Sequence, residues 1–273
     1  MISGATRVAA VVGDPVRHSL SPIIHNAAFG AVGLDWVFVA FEVPTDRGGE
    51  IVPAMDLLGI DGLSVTMAHK AAVSSAVDDL TDVASRLESV NCVVRRHGRT
   101  TGTSTDGAGF LWGLQQDFDV DPAGLDCVVL GAGGAARAVA HALAGAGASS
   151  VGVVNRTRVR AERAAELAGS VGAVVSLDAV SGADLVVNAT PVGMGGDASS
   201  PVPAALLGAG QVVVDLVYHP ADTPLMAVAS AAGARAGNGL SMLVGQAAAA
   251  FELWTGEVAP TAVMLEAAAA QIR

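Results

Sequence analysis

A lysine and an aspartate from separate parts of the chain could together move a proton. Lys70 ends the stretch Ser64–Lys70, which follows an apolar strand-like run, and Asp106 lies within Ser104–Gly107 ahead of a helical pattern. Each has an ordinary structural explanation, because a lone lysine is usually solvated and an aspartate at that place can cap a helix. As a pair, they could transfer a proton while a nicotinamide cofactor carries hydride.

A glycine turn predicts a dinucleotide site. The apolar run Asp126–Leu130 leads directly into glycines and then into an alanine-rich helical segment. In this strand–turn–helix context Gly131 allows the tight turn, Gly133 lets the backbone approach a pyrophosphate, and Ala136 lets helix and strand pack closely. The N–H groups at the helix start would then face the phosphates. The stretch therefore predicts a Rossmann domain.

The next strand indicates which nicotinamide cofactor is used. It ends at Asn155–Arg156–Thr157, about twenty residues beyond the glycines, where a site for NAD usually carries an acidic residue for the ribose diol. Arginine suits a 2′-phosphate instead. We therefore predict NADP rather than NAD.

Two further polar clusters follow strand-like runs. Ser19 and Ser21 come after the first run, and 188–194 follows a later one. Ser21 precedes Pro22, so helix capping and ligand contact are both open for it. Ser19 has no such structural role in the sequence, which favours a ligand contact. The 188–194 segment reads equally as an ordinary turn.

Composition excludes several classes of protein. Apolar residues make up 52% of the 273 residues and aromatics 4%, and no apolar run approaches the ~18 residues of a membrane span. A net charge of −11 argues against nucleic-acid binding. Cys92 and Cys127 lie in apolar runs, which predicts free buried thiols, so we expect a cytoplasmic protein. We expect no metal site. The size of the chain alone suggests a homodimer.

The order of predicted elements indicates two α/β domains. Strands at 8–12, 36–41 and 63–65 alternate with helices at 22–32, 46–58 and 70–77, followed by a helix at 80–89 and a hairpin near 92–99. We expect a substrate-binding domain at 1–106 with a mostly parallel sheet, and a Rossmann-type NADP domain at 107–238, separated by a cleft. Periodicity does not place the closing helices, and we expect 239–273 to fold back onto the first domain.

Taken in order, these stretches resemble the shikimate/quinate dehydrogenase family over nearly the whole chain. The segment 13–26 is similar to G-x-P-x-x-H-S-x-S-P-x-x-H-N, and 64–70 to N-V-T-x-P-x-K. The resemblance implies catalysis by Lys70 and Asp106, with Asp106 pairing with the lysine. It implies that the residues touching substrate are Ser19, Ser21, Thr66, Lys70, Asn91, Asp106, Tyr218 and Gln246.

The resemblance extends to the cofactor site. The segment 155–160 is similar to N-R-T-x-x-R/K, 215–225 to D-x-x-Y-x-P-x-x-T-P-L, and 239–247 to G-x-G-M-L-x-x-Q-A. It implies that NADP is held by Gly131, Ala132, Gly133, Gly134, Ala135, Asn155, Arg156, Thr157, Arg160, Thr190, Met194, Leu216, Gly239 and Met242.

The implied activity is the reversible NADP-dependent reduction of 3-dehydroshikimate to shikimate, a step of aromatic amino acid biosynthesis. Four residues depart from the family pattern, namely Ser64 and Ser104 in place of Asn, Ala68 in place of Pro, and Ser241 in place of Gly. The serines shorten polar side chains near the expected pocket, so quinate or another altered ring acid remains an alternative substrate. A non-catalytic NADP-binding protein is the alternative from another class. We expect His69 to point to solvent.

Overall fold

The computed structural model describes residues 2–272, which divide into two compact units. The first unit contains the chain up to Thr105 together with Val244–Gln271, and the second contains Asp106–Leu243 with Ile272. The chain therefore passes from one unit to the other directly before Asp106, again at Val244, and once more at Ile272.

The first unit is built on a six-stranded sheet. Its strands are β1 (Arg7–Gly13), β2 (Trp36–Glu42), β3 (Gly62–Val65), β4 (Asp79–Leu80), β5 (Cys92–Arg96) and β6 (Arg99–Thr103). Its first helices are α1 (Ser21–Ala31), α2 (Ile51–Leu58), α3 (Lys70–Ser74) and α4 (Asp82–Leu87). The strand order is β2-β1-β3-β5-β6-β4, with β1 parallel to β2 and β3, and β5 antiparallel to β3 and β6.

The buried centre of this sheet explains where its polar loops lie. β1 is an apolar run with Ala9 and Ala10 fully buried, and β3 is buried along its whole length, as expected for strands covered on both faces. Because β1 and β3 are parallel, with Val12 opposite Val65, the loops that follow them leave the same edge of the sheet.

The second unit has a parallel six-stranded sheet. Its elements are α5 (Asp106–Phe118), β7 (Asp126–Leu130), α6 (Gly134–Gly145), β8 (Ser150–Val154), α7 (Arg158–Glu166), β9 (Gly172–Val174), β10 (Leu185–Asn188), β11 (Val212–Asp215), α8 (Pro224–Ala231) and β12 (Arg235–Asn238). The strand order is β12-β11-β10-β7-β8-β9, and every pair is parallel. This is the doubly wound order in which ligands bind where the strand order reverses, here between the carboxyl ends of β7 and β10. The predicted Rossmann-type sheet is confirmed.

Two helices complete the chain, α9 (Leu240–Thr255) and α10 (Thr261–Ala269). α10 packs on α1 within the first unit. The Trp254 indole N–H donates to the Val93 carbonyl oxygen at 3.0 Å, and the ring lies so close to Gly62 that a Cβ there would sit 2.6 Å from it. The end of α9 is thus fixed to the face of the sheet by a fully buried hydrogen bond.

Several helix boundaries differ from the prediction. The predicted helix at 46–58 is a 3₁₀ helix, Thr45–Glu50, followed by α2, with Arg47 outside helical geometry ahead of a glycine pair. In the segment at 80–89, Leu80 belongs to β4 and the helix is shorter than predicted. α4 begins at Asp82 because Thr81 is its N-cap, with a side chain that accepts from the Ala84 N–H. α3 ends at Ser74 rather than 77. α8 and β12 were not predicted. No helix in the described part of the chain is long and apolar enough to cross a membrane.

A buried histidine lies in the aromatic core of the first unit. His25 on α1 has no exposed surface, and its ring stacks on Phe38 with centroids 4.4 Å apart and lies 5.0 Å from Trp254. Neither ring nitrogen has a hydrogen-bond partner among the described residues. Burial lowers the pKa of His25 to about 3, so the side chain is a neutral part of the core.

This histidine makes stability depend on pH. The folded-state pKa of about 3 lies below the ~6.5 of an unfolded chain, so the unfolded state binds more protons as the pH falls through that window. We expect the free energy of unfolding to fall by about 2 kcal/mol between pH 7 and pH 5, and His25→Phe to remove that part of the slope. Urea unfolding followed by Trp fluorescence measures it. His97→Asn, at an exposed histidine, is the control, and an equal slope in His25→Phe and the native chain would contradict the assignment.

Candidate functional site

The first unit brings two predicted site loops together. A Cβ on Gly13 would lie 2.5 Å from the Thr66 Cγ2, and the Asp14 N–H donates to the Met67 carbonyl oxygen at 2.7 Å. The loop carrying Ser19 and the loop carrying Thr66 therefore touch at the carboxyl ends of β1 and β3. Glycine is required at position 13 because any side chain there would displace Thr66.

The two serines after β1 have local roles that differ from the prediction. Leu20, not Ser21, occupies the N-cap position of α1, and Ser21 is buried as the first helical residue. The capping role considered for Ser21 is therefore wrong. The Ser19 hydroxyl accepts from the Ser21 N–H at 3.2 Å, so this serine does have a structural role, although the sequence offered none.

Lys70 is half-buried at the start of α3, and its carbonyl oxygen accepts from the Val90 N–H at 3.1 Å. It is the only lysine among the fifteen lysine and arginine residues of the sequence. Arginine stays protonated in proteins, whereas an ammonium can release its proton. Among these fifteen residues, the one side chain able to release its proton thus stands where proton transfer is predicted, a signal that a count of lysines in the sequence could have revealed.

A buried hydrogen-bond network joins three further residues. The Asn91 side chain accepts from the Thr105 N–H at 2.7 Å, donates to the Thr105 hydroxyl at 2.9 Å, and donates to the Gln246 side-chain oxygen at 3.3 Å. The Thr105 hydroxyl donates to the Gln246 carbonyl oxygen at 3.0 Å. The network fixes the residue directly before Asp106, which is buried and begins α5.

In the second unit, the glycine turn has the geometry that a dinucleotide needs. Gly131 adopts φ +108°, and a Cβ there would lie 2.9 Å from the Ala189 carbonyl oxygen. Gly133 is the N-cap of α6 and has nothing within 4 Å of its Cβ position. Ala136 is fully buried, consistent with close helix packing. Ala132, Gly134 and Ala135 lie in the same turn and first helical residues, so the turn and its N–H groups fit a pyrophosphate.

The segment after β8 presents two arginines. The Asn155 side chain donates to the Thr157 carbonyl oxygen at 3.0 Å, and Thr157 is the N-cap of α7. Arg156 and Arg160 are exposed and make no ion pair among residues 2–272, whereas Arg158 pairs with Glu162 at 2.8 Å. The two guanidinium groups beside the carboxyl end of β8 fit a 2′-phosphate.

Other predicted cofactor residues follow the remaining parallel strands. Thr190, after β10, donates its hydroxyl to the Asn188 side-chain oxygen at 2.6 Å, and Met194 further along that loop is exposed. A Cβ on Gly239 would lie 2.2 Å from the Leu216 carbonyl oxygen, so only a glycine at position 239 lets the two backbones approach this closely. Burial raises the pKa of Tyr218.

Ser241, one of the departures from the family pattern, serves packing within the second unit. Its hydroxyl donates to the Asp117 carboxylate at 2.6 Å, and a Cβ on Gly113 of α5 would lie 2.9 Å from the Met242 nitrogen. The first turn of α9 is thus fixed to α5, which holds the Met242 backbone. Burial raises the pKa of Asp117, and the Ser241 hydrogen bond opposes that shift.

Two more sequence expectations can be compared with the structure. His69 does not point to solvent, because its side chain is fully buried. Cys92 and Cys127 are buried and form no disulfide, as predicted, and burial raises the pKa of Cys127 to about 12. Among the described residues, no three His, Cys, Asp or Glu side chains are placed to hold a metal ion.

Comparison with known proteins gives consistent matches along the chain. Residues 11–93 match the shikimate dehydrogenase substrate binding domain, residues 114–192 the shikimate / quinate 5-dehydrogenase profile, and residues 239–269 the shikimate 5'-dehydrogenase C-terminal domain. The shikimate dehydrogenase (NADP(+)) of Methanopyrus kandleri is 46% identical, over 100% of this chain and 98% of its own length.

Solved structures agree. A shikimate dehydrogenase in complex with NADP+ aligns with a TM-score of 0.93 and 36% identity, covering 100% of this chain and 98% of the other. The Thermus thermophilus shikimate 5-dehydrogenase in complex with NADP(H) and shikimate aligns with a TM-score of 0.91 and 38% identity, covering 97% and 99%. This chain belongs to the shikimate dehydrogenase family.

Proposed function

We propose that this protein is an NADP-dependent shikimate dehydrogenase that reversibly reduces 3-dehydroshikimate to shikimate, with Lys70 and Asp106 as its proton-transfer pair. The observation that supports the pairing is a series of hydrogen bonds and peptide bonds that connects the two residues. The Lys70 carbonyl is bonded to Val90, Val90 precedes Asn91, and Asn91 holds Thr105, whose next residue is Asp106. The full-length matches to shikimate dehydrogenases support the reaction.

Lys70 has the chemistry for the proton step. In oxidation its neutral amine would accept the proton of the substrate C3 hydroxyl, and in reduction its ammonium would protonate the developing alkoxide. A positioned group of this kind contributes about 10²–10⁴-fold to the rate. The Asp106 carboxylate would orient the ammonium and stabilise its charge.

The second unit supplies the cofactor site in this proposal. Gly131, Gly133 and the N–H groups at the start of α6 would hold the pyrophosphate, and Arg156 with Arg160 would hold the 2′-phosphate. When bound, the nicotinamide of NADP supplies the hydride acceptor for oxidation and the donor for reduction. Met242 would contact the nicotinamide, and its backbone is fixed by the packing of Gly113 and the Ser241–Asp117 hydrogen bond.

The first unit would bind the ring acid. Ser19 and Ser21 would hold the substrate carboxylate, Gln246 would bind its hydroxyl groups, and Thr66 and Asn91 would also contact the substrate. The Asn91 side chain donates to the Gln246 side-chain oxygen at 3.3 Å. Tyr218 would lie near substrate and nicotinamide. On the size of the chain alone we also propose a homodimer, and on the absence of a disulfide between the two cysteines we propose a cytoplasmic location.

Quinate is the second candidate substrate, because the Ser64 hydroxyl has no hydrogen-bond partner among the described residues. This oxygen is buried, at a position where the family has an asparagine. A side chain shorter than asparagine at that position would leave room for an altered ring substituent. The sequence motifs do not separate the two substrates, because enzymes for both share them.

A substrate panel distinguishes these functions. Shikimate and quinate are added to the protein with NADP or NAD, and reduced nicotinamide is followed by its absorbance. We expect the highest kcat/KM for shikimate with NADP. A higher kcat/KM for quinate would reassign the substrate, and no turnover with either acid would leave a non-catalytic NADP-binding protein.

A further inference from the structure

The buried histidine next to Lys70 bonds to a distant part of the first unit. The His69 side chain is fully buried, and its Nε2 lies 2.7 Å from the Val43 carbonyl oxygen, beyond the end of β2. Because Nε2 faces a carbonyl, it must carry the hydrogen of the ring. Nδ1 is buried without a hydrogen-bond partner among the described residues, which fits the neutral tautomer protonated at Nε2.

This bond closes a set of contacts around the loop that precedes Lys70. The Val43 N–H donates to the Gly13 carbonyl oxygen at 3.1 Å, and the Asp14 N–H donates to the Met67 carbonyl oxygen at 2.7 Å. The His69 N–H itself donates to the Thr66 carbonyl oxygen at 3.0 Å. The loop is therefore held to the end of β1 by its backbone and to the segment after β2 by the His69 ring.

The helix that begins with Lys70 cannot fix its own position. α3 has only five residues, and a helix of this length is not stable by its own backbone bonds. Met67 and Ala68, earlier in the loop, are exposed and add little packing. The position of the Lys70 backbone thus depends on contacts with other elements. Val73 of α3 is buried in the core of the first unit, and next to Lys70 the chain is held by the Val90 bond on one side and by the His69 ring on the other.

The structure also leaves space for this ring at a specific glycine. A Cβ on Gly48, in the 3₁₀ helix, would lie 3.0 Å from the His69 Nδ1 and 2.9 Å from the Ala72 Cβ of α3. The neighbouring Gly49 has nothing within 4 Å of its Cβ position. Gly48 therefore permits the ring to pack under α3, whereas Gly49 does not contribute to that packing.

We propose that His69 is a positioning residue for Lys70, acting through its hydrogen bond to the Val43 carbonyl. The inference rests on the proposed role of Lys70. Displacing a reacting group by about 1 Å can cost ~10²-fold in rate. The His69–Val43 hydrogen bond would therefore determine the fraction of time that the Lys70 amine spends in the reactive position. His69 itself touches neither substrate nor cofactor in this account.

Two amides of the same chemistry test the bond. Glutamine places its side-chain N–H₂ near the position of the histidine Nε2, whereas asparagine places it near Nδ1. We expect His69→Gln to keep kcat within about threefold of the native value and His69→Asn to lower kcat by about tenfold or more, with the KM for shikimate changing by less than about threefold in both. Equal kcat values for the two variants would overturn the proposal.

A glycine pair repeats the test without changing the histidine. We expect Gly48→Ala to reproduce the kcat loss of His69→Asn, because the new methyl group must displace the ring or α3, and Gly49→Ala to leave kcat unchanged. This pair decides the question even if His69→Asn does not fold. Equal kcat values for Gly48→Ala and Gly49→Ala would contradict the proposal.

The single lysine allows a readout that needs no turnover. Reductive methylation with ¹³C-formaldehyde labels one side-chain amine, that of Lys70, besides the chain terminus. We expect its NMR signal to shift and to sharpen, through greater mobility, in His69→Asn and Gly48→Ala but not in His69→Gln or Gly49→Ala. Unchanged signals in all four would overturn the proposal. If the signals differ as expected while Lys70→Ala keeps its kcat, the proposed mechanism fails and the positioning of Lys70 by His69 stands.

Discussion

Replacing Lys70 by alanine will lower kcat for shikimate oxidation by about 10²–10⁴-fold, the range that a positioned proton-transfer group contributes. The dissociation constant for NADP should stay within about threefold, because the residues that we propose hold the cofactor belong to the second unit and the substitution leaves them intact. Steady-state kinetics with a fluorescence titration of NADP measures both quantities.

Lys70→Arg is the matched control for charge. A guanidinium keeps the positive charge at this position, but it stays protonated and cannot take the hydroxyl proton. We therefore expect Lys70→Arg to be nearly as slow as Lys70→Ala. Should arginine restore most of the activity, lysine would be acting as a charge rather than as an acid and base. An unchanged kcat in Lys70→Ala would remove the residue from the mechanism.

The second large effect concerns the cofactor. Arg156→Ala should raise the KM for NADP by about 10–100-fold, since hydrogen bonds to a charged group contribute about 1.5–3 kcal/mol. The KM for NAD, which has no 2′-phosphate, should change by less than about threefold. The ratio of the two KM values isolates the phosphate contact from general damage to the site.

Arg158→Ala provides the control on the same segment. Arg158 is paired with Glu162 one turn along α7, so its removal takes away a surface charge without a predicted phosphate contact. We expect its KM values for both cofactors to stay near the native ones. Equal increases for NADP and NAD in Arg156→Ala would show that the arginine does not distinguish them.

The parts of the fold that sequence could predict are those with local signals. β7 and the start of α6 follow from a β-branched run, glycines and alanines, and Gly131 does adopt the positive φ that its place in the turn requires. α8 also had a local signal, Thr223 followed by Pro224, which gives the observed cap. β12 had none, because Arg235–Asn238 contains no β-branched residue and forms a strand only by pairing with β11.

The site was harder to predict where its contacts link distant residues. The partner of His69 is 26 positions away, at Val43, so no pattern near the histidine indicates burial. Ser241 bonds to Asp117, 124 positions away, which turns an apparent change in pocket polarity into a packing contact. The roles that we propose for Lys70 and Asp106 follow from their motifs, whereas the Asn91–Thr105 network that fixes the residue before Asp106 required the structure.

The central claim is that Lys70 and Asp106 act as one proton-transfer unit, and a double-mutant cycle on kcat tests it most directly. Lys70→Ala, Asp106→Asn and the double variant are compared with the native enzyme under saturating shikimate and NADP. Residues that act as a unit show strongly non-additive effects, so we predict that the double variant will be no more than about threefold slower than Lys70→Ala alone. A double variant whose loss equals the product of the two single losses would contradict the pairing.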